Sequence, residues 1–203
     1  MIPAAKRRWF TRWFGAQAHA RLRATFGTLH LAGREHLQQA LRRGPVLVVS
    51  NHSSWWDPIV ALVLSTRIVP SDAHALMEAA NLRRRPFFAL VGAFGVDRGS
   101  RRDGARAVRH AVSLLDRPGR LVWIFPQGEE RPLHERPLVF HPGAARVAER
   151  APAATVLPVA LAYAFGAREA PELLVSIGAP LPAEGSAARA RDAQAAAVLA
   201  ELE

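Results

Sequence analysis

The stretch VLVVSNHSSWWDP, Val46 to Pro58, decides the fold. Val46 to Val49 are apolar without alternation, the pattern of a strand buried on both faces rather than one with a wet side. A polar loop follows at once. Pro58 then suits the first turn of a helix, where its missing N–H costs nothing, and Asp57 before it has the side chain of an N-cap. A buried strand that opens into a polar loop and a helix is the start of an α/β unit, and it leaves polar side chains at the carboxyl end of a strand.

Working outward, strand-like runs cover Pro45–Ser50, Arg67–Val69, Ala75–Met77, Gly92–Val96, Leu121–Phe125, Thr155–Leu161 and Leu173–Ile177. Helical stretches are expected from Pro58, from Leu82, over Asp103–Leu115 and over Gly143–Arg150. Ala105, Val108, Val112 and Leu115 recur at three and four residues and predict the core-facing stripe of the third helix. The alternation predicts an α/β fold with a mixed, largely parallel central sheet flanked by helices. Pro158 inside "TVLPVALAY" implies an edge strand or a bulge. The alanine-rich tail Ala187–Leu202 has few large apolar groups and is expected to be a weakly held terminal helix.

Composition narrows the class. A chain of 203 residues, half hydrophobic and 22% charged, is long enough for one domain with a real core and too apolar for wholesale disorder. Its formal charge of +10 points to an anionic partner, be it nucleic acid, a lipid surface or a phosphorylated substrate. The absence of cysteine excludes disulfides, thiolate metal sites and a cysteine nucleophile. No run approaches the roughly 20 apolar residues of a membrane span. Arg12, His19, Arg21 and Arg23 break up the stretch behind Lys6, Arg7 and Arg8, so no signal peptide is expected. Residues 9–23 placed on a helix gather Trp9, Phe10, Trp13 and Phe14 within an arc of roughly 140°, opposite Arg8, Arg12 and His19. Such a segment either lies in an anionic membrane surface or packs its rings on the domain. Residues 1–30 are accordingly set apart as a basic amphipathic membrane-associating segment, and residues 31–203 as the domain proper.

His52 and Asp57 are the first candidates for chemistry. A carboxylate five positions on can accept the imidazole Nδ1 proton, leaving Nε2 as a general base toward a hydroxyl. Eight histidines and six aspartates give about 0.24 chance occurrences of that spacing, so it decides nothing alone. "GAFGVDRGSRR" sets Arg98, with Arg101 and Arg102, after a strand, where a phosphate or carboxylate is easily held. "LVWIFPQGEERP" breaks a strong apolar strand at Pro126 and Gly128 and presents Gln127, Glu129 and Arg131 at a strand end. Ser53 and Ser54 are expected to make local hydrogen bonds rather than act as nucleophiles. His74, His134 and His141 lack ligand spacing, and neither His-Glu-x-x-His nor Gly-x-Ser-x-Gly occurs, so no metal site and no serine elbow are expected.

Four blocks in order resemble one family, the lysophospholipid (1-acylglycerol-3-phosphate type) acyltransferases, from about Gly33 to Tyr163. Asn51, His52 and Asp57 match its Asn-His-x-x-x-x-Asp block, and Gly92, Asp97 and Arg98 its Gly-x-x-x-x-Asp-Arg block. Phe125, Pro126 and Gly128 match part of Phe-Pro-Glu-Gly-Thr-Arg, and Val156, Pro158 and Val159 match Val-x-Pro-Val. The resemblance implies an O-acyltransferase domain over residues 31–203, with His52 and Asp57 catalytic and Arg98, Gln127, Gly128 and Arg131 binding substrate. It implies acyl-CoA or acyl carrier protein as donor, a lipid acceptor, no other cofactor and no metal. It also implies peripheral contact with the cytoplasmic face of a membrane, and backbone donors near Gly128 for the oxyanion. Gln127, Glu129 and Glu130 depart from the third block, which leaves room for a glycolipid or glycosylated carotenoid acceptor, or for a non-catalytic membrane-binding relative. A nucleic-acid partner accounts for the charge but not for the His52 loop, and none is expected.

Overall fold

In the computed structural model, which describes residues 1–182 and 186–202, the chain forms one seven-stranded sheet. Its strands are β1 (Thr28–Ala32), β2 (Val46–Ser50), β3 (Asp72–Glu78), β4 (Ala93–Val96), β5 (Arg120–Ile124), β6 (Thr155–Ala164) and β7 (Glu172–Ile177). They lie in the order β1-β7-β6-β2-β5-β3-β4, and every pair is parallel except β6 with β7. The sheet is mixed and largely parallel, as the alternation of the sequence predicts. Two-residue periodicity divides the core. Val46 and Val48 of β2, with Leu121 and Trp123 of β5, face one layer, whereas Leu47, Val49, Val122 and Ile124 face the other.

The first layer holds α1 (Arg8–Thr25), α2 (Arg34–Arg43) and α3 (Asp57–Val63); the second holds α6 (Arg101–Leu114), α7 (Gly143–Arg150) and α8 (Ala187–Ala200). Two short helices, α4 (Ala79–Arg84) and α5 (Phe87–Leu90), connect β3 to β4. Residue 30 falls inside β1, and Ala18, Leu22 and Phe26 from the first 30 residues join the core of the first layer. α1 buries Thr11, Gly15, Ala18 and Leu22, a small-residue face. A Cβ on Gly15 would stand 2.6 Å from Thr66 Oγ1, so this close approach needs glycine. The aromatic arc is divided between the domain and solvent. Trp9 and Trp13 are 70% and 54% exposed, while Phe14 leans on Phe87 and Phe88 with centroids 5.4 and 6.2 Å apart.

Several expectations need correction. Arg67–Val69 is not a strand: the helical run of α3 continues through a π-helical turn, Leu64–Ile68. A short β-branched run before a proline fits either state. Here the buried Ser65 decides, because its hydroxyl accepts the indole N–H of buried Trp123 at 3.0 Å. The helix expected from Leu82 begins at Ala79 and stops before Pro86, whose ring disfavours helix in the residue ahead of it. In α6 the buried stripe is Ala107, Val108, Ala111 and Leu114, and Ala105 is exposed, so the stripe is rotated from the one read at Ala105 and Val112. Pro158 lies in an interior strand, but pairing with β7 begins only at Val159, so its missing N–H takes no rung from that ladder. The tail is helical and buries Ala190, Gln194 and Val198.

At the amino end of the strands, opposite the candidate site, Lys6 donates to Asp72 at 2.8 Å and to the Ala73 carbonyl at 2.6 Å. Arg120 meets the other Asp72 oxygen at 2.7 Å, and Asp72 also lies 3.6 Å from buried His74. Burial first, then the charge of Lys6, lowers the His74 pKa from 6.5 to about 4. A histidine held neutral in the fold stabilises it fully above its unfolded pKa, and that contribution drains away as pH falls from 6.5 through about 4. Melting temperature should therefore drop over that window, and His74→Gln should flatten the slope. Parallel pH profiles for the two proteins would contradict the assignment.

Candidate active site

Because β2, β3, β4, β5 and β6 are parallel, their carboxyl ends gather on one edge of the sheet. The strand order reverses around β2, which is where open α/β sheets form crevices. Asn51, just past β2, extends the ladder with its side chain: Nδ2 donates to the Leu161 carbonyl and Oδ1 accepts the Leu161 N–H, both at 2.8 Å. That rung fixes where the loop leaves the sheet, and His52 follows directly.

Asp57 opens α3 but does not cap it forward, contrary to the simple capping expectation. Its carboxylate turns back into the loop, where Oδ2 accepts the N–H groups of Ser53 at 2.7 Å and Ser54 at 3.0 Å. The same oxygen lies 2.7 Å from His52 Nδ1, and Oδ1 accepts the Tyr163 hydroxyl at 2.5 Å. Asp57 is fully buried, and these four donors match its charge. Burial, reinforced by the Asp57 charge, pushes the Tyr163 phenol far above its ordinary pKa, so it remains a donor. With Nδ1 committed to Asp57, His52 keeps Nε2 as its second ring nitrogen.

The loop after β5 clasps this pair from the other side. Buried Gln127 accepts the His52 backbone N–H at 2.7 Å, the His52 carbonyl accepts the Arg131 N–H at 2.8 Å, and the imidazole lies 4.7 Å from the Phe125 ring. Gln127 thus steadies the histidine loop and does not line the cleft beside it. Gly128 does line it, at φ +75°, and a Cβ there would come within 3.2 Å of Arg98 and His141. Its N–H is spent on the Phe125 carbonyl at 3.0 Å, so it is not the free oxyanion donor expected near this position. Arg98, at the end of β4, donates to the Gly128 carbonyl at 2.9 Å. The Arg131 side chain lies outside the cleft lining, paired with Glu129 and, at 3.3 Å, with Glu135. Arg101 lines the cleft and Arg102 does not.

The cleft has a volume of about 1230 Å³, at the large end of ligand pockets. His52, Glu78, Arg98 and Gly128 are among its polar groups, Phe14, Ile59, Phe87 and Phe88 form one apolar wall, and Val108, Ala111 and Val147 another. Ser54 makes the local bond expected of it, accepting the Trp56 N–H at 3.2 Å. Among the described residues no three His, Asp or Glu side chains stand together as a metal site, and no helix is long and apolar enough to cross a membrane.

Two residues of the site escaped the sequence reading. Tyr163 is the chain's single tyrosine; period-two counting along β6 places it with Leu157, Val159 and Leu161 on the face toward α3. Glu78, at the end of β3, carried no motif signal at all.

A histidine held by a buried carboxylate, beside a large and mostly apolar cleft, suits group transfer to a hydroxyl on an apolar molecule. A search of curated proteins finds no match. A family model described as Acyltransferase matches residues 29–162, about two thirds of the chain, including His52, Asp57, Arg98 and Gly128. The chain belongs to this family, the 1-acylglycerol-3-phosphate O-acyltransferase family.

Proposed function

We propose that the protein moves a fatty acyl chain from an acyl thioester, acyl-CoA or acyl carrier protein, to a hydroxyl of a lipid acceptor, with His52 as general base. The observation that carries this reading is the 2.7 Å contact between His52 Nδ1 and Asp57 in a cleft walled by apolar side chains. His52 Nε2 takes the hydroxyl proton as the oxygen attacks the thioester carbonyl. Asp57 keeps the ring in the Nδ1–H tautomer and stabilises the imidazolium. The tetrahedral adduct then collapses, the C–S bond breaks, and the imidazolium proton leaves with the thiolate as a thiol. The ester and the free thiol are the products, and His52 returns neutral. Ile59, Phe87 and Phe88 are placed to shelter acyl chain, each buried CH₂ contributing about 0.8 kcal/mol.

The same reading makes the protein a peripheral membrane enzyme. Exposed Trp13 adjoins Phe14, which lines the cleft, exposed Trp9 joins the same cluster through Phe10, and Arg8 and Arg12 are exposed on the same helix. Aromatic rings favour the headgroup boundary and arginines favour anionic lipid, so lipid reaches the cleft without crossing water.

His52→Ala is expected to lower turnover by about 10²–10⁴ while the protein stays folded. Free thiol release from acyl-CoA measures this directly, since the protein has no cysteine to react with the dye. In Asp57→Asn the amide oxygen can keep the two loop N–H groups while Nδ2 faces Tyr163, so the variant should fold. It loses only the charge beside the imidazolium, so turnover should fall, by up to about 10⁴-fold. Tyr163→Phe should cost about 1–3 kcal/mol of stability, because it strips a buried carboxylate oxygen of its donor, yet keep more activity than Asp57→Asn. Wild-type turnover in folded His52→Ala would rule the mechanism out.

Trp9→Ala with Trp13→Ala touches no buried contact and should weaken sedimentation with vesicles containing anionic lipid. Binding should also fall with salt, as screening sets in beyond about 10 Å at 0.1 M. Unchanged partitioning of the double variant would contradict membrane docking through α1.

A further inference from the structure

An arginine beside a catalytic loop is an obvious phosphate ligand, because its planar fork matches phosphate oxygens. Arg98 is tied to that loop: it holds the Gly128 carbonyl, and neighbouring Gln127 holds the His52 N–H. Its charge, however, already faces two carboxylates. Glu78 comes from the end of β3 to within 3.7 Å of Nε, and Glu129 stands 4.0 Å from Nη1. Arg21, Arg85, Arg98, Arg101 and Arg146 all line the cleft, and among the described residues Arg98 alone of them lies within 4.0 Å of a carboxylate. Glu130 lines the same region and adds a further negative charge.

From this arrangement we infer that Glu78 and Glu129 determine acceptor specificity, holding Arg98 so that the subsite takes a neutral, hydroxyl-bearing head group and turns phosphate monoesters away. The inference rests on the acyl-transfer reading. A phosphate monoester carries about −1.5 to −2 charges at pH 7, and seating it on Arg98 would place it against Glu78 and against Glu129, which also pairs with Arg131. A polyol meets no such conflict. Its hydroxyls donate to the glutamates and accept from the guanidinium N–H groups not bonded to Gly128, so each polar group finds a partner without a new charge. Exclusion of the charged competitor, as much as attraction of the right acceptor, produces the specificity.

The test compares kcat/KM for lysophosphatidic acid, monoacylglycerol and an alkyl glucoside with acyl-CoA as donor, in wild type, Glu78→Gln, Glu129→Gln and His52→Ala. Wild type should prefer the neutral acceptors. Each Gln variant should shift the ratio toward lysophosphatidic acid by up to about fivefold, the range for partly exposed ion pairs, and mainly through KM. Glycerol 3-phosphate binding, followed by tryptophan fluorescence, supplies a readout free of catalysis: weak in wild type and strengthened in Glu78→Gln. A wild-type preference for lysophosphatidic acid, or ratios and glycerol 3-phosphate binding unmoved by both substitutions, overturns the inference while His52-dependent turnover stands. Turnover of no acceptor, or full turnover in His52→Ala, overturns the acyl-transfer reading instead, and the binding arm still decides the claim about Arg98.

Discussion

A carboxylate without solvent must find its whole hydration shell in the protein, and Asp57 finds it in four donors drawn from two parts of the chain. Ser53, Ser54 and His52 come from the loop after β2, and Tyr163 comes from β6, more than a hundred residues later. Leaving a buried charge unmatched costs several kcal/mol. The closed loop is therefore stabilised by β6 lying beside β2. Assembly of the candidate site is in this way tied to the centre of the sheet. The Asn51 rung to Leu161 makes the same join one step earlier, with two bonds of 2.8 Å.

Everything nearer the cleft is hung on that closed loop. Gln127 grips the His52 backbone, Gly128 turns the chain at a positive φ that few other residues tolerate, and Arg98 reaches across from β4 to its carbonyl. Residues of β2, β4, β5 and β6 thus meet at one edge because parallel strands end together. α1 docks through small side chains and leaves its tryptophans outside, so the packing of the fold and the outward chemistry of that helix use different faces.

What the sequence revealed follows from how local each signal is. The unbroken apolar runs Val46–Val49 and Leu121–Ile124 announce strands buried on both faces, whereas the spacing from His52 to Asp57 points to their contact only beside the other three blocks. β1 is harder to read because it is only five residues long and mostly exposed. The stretch Arg67–Val69 misled because three β-branched or long residues fit a strand or a helix end equally, and only the distant Trp123 settles which. Gln127 read as a substrate ligand since it sits in a family block, yet its partner is a backbone N–H in another loop, which no spacing encodes. Glu78 was silent for the same reason: its meaning lies in the distance to Arg98 across neighbouring strands.

General-base chemistry at His52 requires the proton on Nδ1 and a bare Nε2. ¹⁵N-resolved NMR of the imidazole, recorded at a pH where the ring is neutral, measures the tautomer directly. A proton on Nδ1, with Nε2 bare and the Nδ1 resonance perturbed in Asp57→Asn, is the result the structure predicts. A neutral His52 protonated on Nε2, with a spectrum indifferent to Asp57, would contradict it.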